Sequence, residues 1–391
     1  MTGVPHPSTG MPVIGVVGGG QLARMTYQAA IALGVHVRVL AGAPDESAAL
    51  VCADVVVGDH RSYDDVAALA AGCDVVTFDH EHVPLPVVDK LVAAGVAVRP
   101  GPGALPYVQD KLRMRERLGG LGLPVPAWRE VADPGDVAGF AAEHGWPVVV
   151  KTSVGGYDGK GVWVVDTPAA ADELVGSLRR AGPAAYVEEH VGFDRELAAL
   201  VARSASGETV AWPVVESVQR DGICREVLAP APGLDPALAA EARSLALRVA
   251  TELDVVGVLA VELFEMGRRL LVNELAMRPH NSGHWTMDGA TTSQFEQHVR
   301  AVLGWPLGAT DPVAPYTVMV NVLGGEGPAA ADLAARVPLA QAADPAVHVH
   351  LYGKGVRPGR KIGHVNVTGD DVAALLERGR RAAGVLAGDR S

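Results

Sequence analysis

Cysteine, aromatic side chains and positive charge are all scarce in this sequence of 391 residues. The three cysteines (Cys52, Cys73 and Cys224) are widely spaced and form no CxxC pair, which argues against a disulfide framework or a zinc site and favours a reducing cytoplasm. Lys and Arg number 33 against 45 Asp and Glu, and the net charge of −12 argues against general nucleic-acid binding. No segment approaches the ~18–20 uninterrupted apolar residues of a membrane span. We therefore expect a soluble, cytoplasmic protein with neither nucleic acid nor membrane as a partner.

The composition is otherwise that of a globular protein, with 49% apolar and 20% charged residues. Because aromatics make up only 5%, Val, Ala and Leu must build the core, while 46 glycines and 27 prolines supply turns. At about 100–200 residues per domain, the length predicts two or three domains. Changes of pattern along the chain divide it into a loose N-terminal arm (1–10), a first domain (11–104), a second (105–305) and a small C-terminal domain (306–391).

The first domain alternates short apolar runs with helix-like segments. Strands are predicted at Val13–Val17, Val35–Leu40, Val55–Val57, Val75–Phe78 and Val96–Val98, and a helix at Gln21–Leu33. This alternation is typical of parallel strands joined by right-handed crossovers. We therefore predict an α/β domain with a doubly wound sheet.

After the Pro- and Gly-rich segment 99–106 the pattern changes. A helix is predicted at about Tyr107–Leu118, and Asp133 and Thr167, each followed by proline, are predicted helix starts. The runs from Tyr186 to Asn273 indicate antiparallel strands with one inserted helix, Pro236–Leu253, and so an α+β module. The tail is predicted to add a final helix and strands at Thr317–Val322, Val347–Leu351 and Lys361–Val367.

A glycine-rich turn follows the first predicted strand. Its sequence, Gly18-Gly19-Gly20-Gln21-Leu22-Ala23, matches the G-x-G-x-x-A fingerprint, in which a tight turn exposes helix N-terminal amides to a phosphate. A dinucleotide site also needs an acid at the tip of the second strand, and the nearest one, Asp45, lies beyond Pro44. A plain turn and a phosphate site are therefore equally favoured, and an NAD site less so.

A second glycine-rich loop follows Lys151, which ends a predicted strand. Four glycines lie within Gly155–Gly161, together with Tyr157, Asp158 and Lys160. Backbone amides of such a loop can cover phosphates while the strand lysine supplies positive charge. The spacing is not that of a Walker A loop. An ordinary glycine-rich hairpin is the alternative.

Acidic residues gather at the end of a later predicted strand. Glu188 and Glu189 precede His190 and Val191, and Glu196 follows closely. Carboxylates beside an apolar residue suit the adenine and ribose of a nucleotide, because they accept hydrogen bonds from hydroxyls. A solvated charged edge is the competing interpretation.

The most specific spacing is that of Glu262 and Glu274, which lie six residues either side of Arg268 in a predicted hairpin of Val256–Phe264 and Leu270–Asn273. The hairpin sets the two carboxylates nearly opposite each other, where they repel, and burial makes the repulsion worse. Mg²⁺ resolves this conflict, since it prefers a few carboxylates with phosphate oxygens completing its shell. A surface hairpin is the alternative, but the flanking apolar runs favour a metal site.

Two further polar segments suit anions. Segment Met277–Trp285 directly follows the carboxylate pair, and its Arg and Asn donors suit a small oxyanion such as a carboxylate or bicarbonate. Segment Lys354–Lys361 carries four cations and no acid within eight residues, which suits a phosphate. A chance histidine-rich turn and a solvated basic loop are the respective alternatives.

Together these motifs resemble the ATP-grasp superfamily and, within it, the N5-carboxyaminoimidazole ribonucleotide synthetase family. The segments that carry the resemblance are Gly20-Gln-Leu-Ala-Arg-Met25, Phe78-Asp-His-Glu-His-Val83, Gly155-Gly-Tyr-Asp-Gly-Lys-Gly161, Asn273-Glu274, Arg278-Pro-His-Asn-Ser-Gly-His-Trp285 and Arg357-Pro-Gly-Arg-Lys-Ile-Gly-His364. The resemblance implies an ATP-grasp fold, with an N-terminal Rossmann-like parallel sheet, a central α+β ATP-grasp module and a small C-terminal domain. It also implies a homodimeric ligase of purine biosynthesis that uses ATP and bicarbonate to carboxylate aminoimidazole ribonucleotide, through carboxyphosphate and CO₂.

The family's activity implies a role for each matching position. The positions expected to bind ATP are Lys111, Lys151, Gly155, Gly156, Gly159, Lys160, Gly161, Glu188, Glu189, His190, Val191, Glu196, Gln219, Asn273 and Glu274. Glu262 and Glu274 are expected to hold Mg²⁺ or Mn²⁺, and Arg278, His280 and Asn281 to bind bicarbonate. The positions expected to bind the ribonucleotide are Gly20, Gln21, Leu22, Glu81, Lys354, Arg360 and Lys361. Asp158, with Tyr157, is expected to orient or deprotonate the ribonucleotide amine.

The chain departs from the family pattern at a few positions. Gln219 stands where histidine is frequent, and glutamine can still form hydrogen bonds but cannot be cationic. Ala23 replaces a common glycine and Met277 a common proline. The alternative ATP-grasp ligase is a formate-dependent glycinamide ribonucleotide transformylase, which we expect to carry a serine-rich flap in place of the Gly-Gly-Tyr-Asp loop. A nicotinamide oxidoreductase and a nucleotide-binding regulatory protein are the rivals outside this superfamily.

Overall fold

A computed structural model describes residues 9–155, 160–182, 184–326 and 332–388. Its strands, numbered in chain order, are β1 Val13–Val17, β2 His36–Ala41, β3 Asp54–Val57, β4 Val75–Phe78, β5 Trp128–Val131, β6 Val148–Thr152, β7 Val162–Val165, β8 Ala185–Glu189, β9 Arg195–Arg203, β10 Thr209–Ala211, β11 Val215–Arg220, β12 Ile223–Ala229, β13 Gly257–Met266, β14 Arg269–Ala276, β15 Tyr316–Leu323, β16 His348–Leu351 and β17 Lys361–Gly369. Its helices are α1 Gln21–Ala32, α2 Tyr63–Ala70, α3 Leu85–Ala93, α4 Pro106–Gln109, α5 Lys111–Gly120, α6 Pro134–His144, α7 Pro168–Ala181, α8 Pro236–Glu252, α9 Thr286–Gly289, α10 Gln294–Leu303, α11 Leu333–Ala343 and α12 Val372–Ala387. None of the described helices is long and apolar enough to span a membrane.

The N-terminal strands form a parallel sheet, as predicted, and their order is β3-β2-β1-β4. The prediction of a strand at Val96–Val98 is wrong, because this segment makes only a single bridge from Val98 to Val76. Val76 bonds to Ala97 and Arg99 on either side of that bridge. The next residue, Pro100, has no N–H with which to continue the ladder.

The predicted helix Tyr107–Leu118 is two helices, α4 and α5, separated at Asp110. The backbone of Asp110 is extended, and its carboxylate accepts the N–H of Leu112 at 2.9 Å. An aspartate in this position caps a new helix rather than continuing the old one. The break places Lys111 in the first turn of α5.

The central region contains two sheets, which confirms the antiparallel α+β prediction. A smaller sheet has the order β5-β8-β6-β7, with α6 and α7 packed on it. The capped starts predicted for these helices are confirmed, since Asp133 accepts the N–H of Gly135 at 2.8 Å and Thr167 that of Ala170 at 3.3 Å.

The larger sheet has nine strands and continues into the C-terminal region. Its order is β14-β13-β9-β11-β12-β15-β17-β16, with β10 paired to β9. The three strands predicted for the tail are all present, and β15 pairs directly with β12. The C-terminal strands are therefore part of the same sheet as the Glu262 and Glu274 hairpin.

Candidate active site

A cleft of about 890 Å³ opens between the smaller sheet and the β13–β14 hairpin. The predicted site residues that line it are Gln21, Leu22, Glu81, Lys111, Lys151, Gly155, Glu188, Glu189, His190, Val191, Glu196, Gln219, Glu262, Asn273, Glu274, Arg278, His280, Asn281 and Lys361. Five predicted residues do not line it: Gly20, Lys160, Gly161, Lys354 and Arg360. Gly156, Tyr157, Asp158 and Gly159 lie outside the described residues. One cleft thus collects most of the residues that the sequence indicates.

Three carboxylates lie on neighbouring strands at one wall of the cleft. Glu262 and Glu274 are direct cross-strand partners, as their spacing predicts, and Glu196 lies one diagonal step away on β9. Burial, reinforced by the negative charges of Glu274 and Glu196, raises the pKa of Glu262 to about 8. Burial likewise raises the pKa of Glu196 to about 7. A cation bound among these groups would relieve the repulsion.

The protein supplies one such cation itself, because the ammonium of Lys111 forms an ion pair with Glu274. Among the described residues no group of three or more His, Cys, Asp or Glu side chains is arranged to hold a metal ion unaided. A Mg²⁺ ion, however, is usually bound by one or two carboxylates together with substrate phosphates. The Glu262–Glu274 pair fits that mode of binding.

A second ion-pair group joins the two sheets across the cleft. Glu188, 2% exposed, receives Lys151 on one carboxylate oxygen and Arg115 on the other, the latter at 2.9 Å. The Lys151 ammonium also donates to the Asn273 amide oxygen at 3.3 Å. Burial tends to raise the pKa of Glu188, but Arg115 and Lys151 together hold it below its ordinary value. Glu188 is therefore ionised and engaged by protein cations.

The expectation that Glu188 through Val191 hold the adenine edge stays a prediction, and the Glu188 carboxylate is engaged by Arg115 and Lys151. The Glu189 carboxylate is also engaged, since it accepts the backbone N–H of Ala127 at 3.0 Å. The groups of segment 188–191 that remain for contact with an adenine ring are its backbone and the buried side chain of Val191.

Apolar side chains complete the same end of the cleft. The rings of Phe193 and Phe264 stack at 4.6 Å with their planes 8° apart. Val162 and Val164 line the opposite side from β7 and are 37% and 61% exposed. Partly exposed apolar walls of this kind suit a flat heteroaromatic ring.

The loop after β14 brings several donors to the other end of the cleft. The Arg278 guanidinium is paired with Glu81 at 2.8 Å, and the amides of Asn281 and Asn321 exchange hydrogen bonds at 2.7 and 3.0 Å. His280 Nε2 lies 3.5 Å from a Glu262 oxygen. Burial, with Arg278 and Lys361 nearby, lowers the pKa of His280 to about 3, so this imidazole is neutral at physiological pH. The loop can therefore offer neutral and cationic donors side by side.

The turn after β1, for which the sequence favours a plain turn and a phosphate site equally, is occupied by a protein carboxylate. Its Gly20 amide donates at 2.6 Å to the carboxylate of Asp79, which follows β4. A Cβ atom would come within 1.9 Å of Asp79 at Gly18, whose φ is +111°, and within 2.4 Å at Gly20. The glycines therefore make room for a protein carboxylate at the helix N-terminus, where a dinucleotide fold would place pyrophosphate. The Gly20 amide is therefore engaged by Asp79, and the expected role of Gly20 in the ribonucleotide site stays a prediction.

The basic C-terminal segment reaches the cleft only in part. The Lys354 ammonium donates to the side-chain oxygen of Gln21, which itself lines the cleft. Lys361, at the start of β17, lines the cleft directly. Arg360 is exposed and donates to the carbonyl of Gly355 at 3.3 Å.

Sequence reasoning missed Arg115, Asp79 and Asn321. Arg115 lies four residues after Lys111, and this spacing puts both on one face of α5. Asp79 ends the strand beside the glycine-rich turn, where parallel strands bring their carboxyl ends together. Asn321 carries no local signal, because only the pairing of β15 with its neighbours brings it to Asn281.

Comparisons with family models match almost the whole chain. Residues 11–109 match a ribonucleotide synthetase preATP-grasp domain, residues 116–295 an ATP-grasp domain, and residues 317–378 a phosphoribosylaminoimidazole carboxylase C-terminal domain. Among curated proteins, the N5-carboxyaminoimidazole ribonucleotide synthase of Mycobacterium tuberculosis is 56% identical over 373 residues, covering 95% of this chain and 87% of its own. That of Corynebacterium ammoniagenes is 53% identical over 382 residues, covering 96% and 92%.

Solved structures agree with these matches. The N5-carboxyaminoimidazole ribonucleotide synthetase of Thermus thermophilus is 40% identical with a TM-score of 0.85, covering 95% of this chain and 98% of its own. The Aspergillus clavatus enzyme, in complex with ADP and 5-aminoimidazole ribonucleotide, is 32% identical with a TM-score of 0.87, covering 96% and 98%. These relatives favour the carboxylating ligase over the formate-dependent transformylase.

Proposed function

This chain belongs to the N5-carboxyaminoimidazole ribonucleotide synthase family of ATP-grasp ligases, and from that premise we propose how its residues divide the work. The enzyme is an ATP-dependent ligase of purine biosynthesis that carboxylates aminoimidazole ribonucleotide. We propose bicarbonate as the source of the carboxyl group. One bicarbonate oxygen attacks the γ-phosphorus of ATP, which gives carboxyphosphate and ADP. Carboxyphosphate breaks down to CO₂ and phosphate, and the ribonucleotide amine adds to the CO₂ and loses a proton.

The nucleotide occupies the end of the cleft between the two sheets. Its base lies between the Phe193–Phe264 stack and β7, against Val191, with Gln219 and Glu196 as hydrogen-bonding groups nearby. Its phosphates extend towards Lys111 and Lys151, the ammonium groups that converge from α5 and β6. The loop Gly155–Gly161, only part of which is described, covers them and shields the labile intermediate from water.

A divalent cation belongs beside the phosphates, held by Glu262 and Glu274. The supporting observation is the direct cross-strand pairing of two carboxylates, with the pKa of Glu262 raised by burial and by its acidic neighbours. Bound Mg²⁺ or Mn²⁺ supplies positive charge to the transferring phosphoryl group. Lys111, the protein cation that pairs with Glu274, contacts a phosphate oxygen of ATP.

Bicarbonate binds at the Arg278 loop, next to the carboxylate wall. Arg278 supplies the charge, and Asn281, fixed by Asn321, supplies an oriented amide. His280 lies against Glu262 and is neutral, so it can position bicarbonate by a hydrogen bond without adding charge. Charge and directional donors of this kind are suited to a small planar oxyanion.

The ribonucleotide occupies the side of the cleft nearest the N-terminal sheet. Gln21 and Leu22 from α1, Glu81 after β4, and Lys361 from β17 meet there, with Lys354 bound to Gln21. Arg360 is exposed beside the segment that carries Lys361, and we keep it as a group for the ribonucleotide phosphate. We retain Asp158, with Tyr157, as the pair that orients or deprotonates the amine.

A homodimeric state and a cytoplasmic location complete the proposal, the latter supported by three free cysteines.

The observation that carries this proposal is the convergence of Lys111, Lys151, Glu262, Glu274 and Arg278 in one cleft. It is tested by measuring phosphate release from Mg-ATP and bicarbonate with and without aminoimidazole ribonucleotide. We expect the ribonucleotide to stimulate release and to become carboxylated, and formate to give no product in place of bicarbonate. A failure of the ribonucleotide to do either would contradict the proposal.

A matched pair of variants tests the metal assignment. Glu274→Gln should abolish turnover with little loss of folding. Glu143→Gln removes an exposed carboxylate of α6 that pairs with Arg129 on β5, outside the cleft, and should retain wild-type activity. Full activity of Glu274→Gln would refute the assignment.

A further inference from the structure

Arg115 is a fully buried arginine on α5, one helical turn after Lys111. It does not line the cleft, but its guanidinium reaches two other elements. One nitrogen donates to a Glu188 oxygen at 2.9 Å, and another donates to the backbone carbonyl of Val272 on β14 at 2.9 Å. A buried arginine is tolerated only where its charge is compensated and its donors are used. Arg115 meets this condition through Glu188.

The Glu188 carboxylate pairs with two cations, of which only one lines the cleft. Arg115 lies behind it, away from the cleft, whereas Lys151 lies in front of it, on the cleft wall. With Arg115 present, the three groups carry a net charge of +1. Without Arg115, Lys151 and Glu188 would form a neutral pair facing the phosphates.

The identity of the residue also matters, because an arginine has a planar fork of donors and a lysine does not. The fork lets Arg115 hold Glu188 and the Val272 carbonyl at the same time. Val272 directly precedes Asn273 and Glu274, so the same side chain ties the Lys151 group to the strand that carries the carboxylate wall. Helix α5, β8 and β14 are thereby held in fixed relation beneath the phosphate end of the cleft.

We propose that Arg115 is a positioning residue for ATP, which neutralises Glu188 and so leaves the charge of Lys151 available to the nucleotide phosphates. The proposal rests on the assignment of Lys151 to the ATP phosphates made above. Arg115 itself touches neither substrate nor metal. Its removal should therefore weaken the binding of ATP more than it slows the chemical step, and it should not affect the binding of the ribonucleotide.

The test compares Arg115→Met, Glu188→Gln and the double variant, with steady-state kinetics at varied ATP and calorimetric titration with Mg-ADP. We expect Arg115→Met to raise the KM for ATP by about tenfold or more with a smaller change in kcat, and to leave the KM for the ribonucleotide unchanged. In the double variant the Glu188 carboxylate is also absent, so the charge of Lys151 is again not neutralised. The KM for ATP should therefore return to within about threefold of the wild-type value. Arg115→Lys should recover part of the loss. Arg113→Met, on the exposed face of the same helix, is the control and should behave as wild type.

Recovery in the double variant separates charge compensation from a merely structural role. If the double variant binds ATP no better than Arg115→Met, or if Arg115→Met leaves the KM for ATP unchanged, the proposal is overturned. Should Arg115→Met fail to fold, Glu188→Gln alone decides: retained or tighter Mg-ADP binding supports the proposal, and tenfold weaker binding refutes it. Lys151→Met reports on the underlying assignment separately, because unchanged ATP binding in that variant would remove Lys151, and not only Arg115, from the nucleotide site.

Discussion

Replacing Glu262 by glutamine should make the ligand-free enzyme more stable at alkaline pH while destroying its activity. The pKa of Glu262 is raised to about 8, first by burial and then by Glu274 and Glu196. The folded protein therefore holds a proton here that the unfolded chain releases near its ordinary pKa of 4.5. Stability is then full below about pH 4.5 and falls as pH rises towards 8. Glutamine does not ionise, so the variant should not lose this stability as pH rises.

The size of the effect follows from the displacement of the pKa. Raising it from 4.5 to about 8, at about 1.4 kcal/mol for each pH unit, sets an upper limit of about 5 kcal/mol. Because charges at buried sites interact more weakly than this limit assumes, we expect about 2 kcal/mol at pH 8. Urea unfolding at pH 5 and pH 8, in the presence of EDTA, measures this difference. It should be large at pH 8 and small at pH 5.

Glu274→Gln provides the contrast. Its side chain is 43% exposed and paired with Lys111, so the variant should lose activity without gaining stability. A Glu262→Gln protein that is no more stable than wild type at pH 8 would refute the reasoning about burial. One that retains activity would refute the role in metal binding.

Three further changes probe other parts of the site. Gly20→Ala places a methyl group 2.4 Å from a buried carboxylate oxygen of Asp79. It should lower the free energy of unfolding, measured by thermal denaturation, by about 1–3 kcal/mol and raise the KM for the ribonucleotide. Gly119→Ala, whose added methyl group has nothing within 4 Å, should be neutral or stabilising. Asn321→Ala releases Asn281 and should raise the KM for bicarbonate about tenfold, in assays at varied bicarbonate, with the KM for ATP unchanged. Lys354→Ala should raise the KM for the ribonucleotide at least tenfold and leave Mg-ADP binding, measured by calorimetry, as in wild type.

The sequence predicts the local elements well because their signals are local. Proline after Asp133 or Thr167 identifies a helix start, and the spacing of Glu262 and Glu274 about Arg268 is enough to predict their pairing. The sequence does not reveal that Asp79 fills the glycine-rich turn, because a carboxylate and a phosphate satisfy the same amides. Nor does it predict the contacts of Glu188, whose partners lie on other elements.

The length of the larger sheet has a geometric consequence. Lys361 on β17 is five strands away from Glu262 on β13, and at about 4.8 Å per strand a flat sheet would separate them by roughly 24 Å. Both nevertheless line one cleft, and the Lys361 ammonium is close enough to lower the pKa of Glu262. The sheet is therefore twisted or curved between these two strands. Register shifts beside Gln219, Glu262 and Val322 lie along that curve, and shifts of this kind increase twist. Restoring a regular ladder at any one of them should reduce this curvature and increase the distance between Lys361 and Glu262.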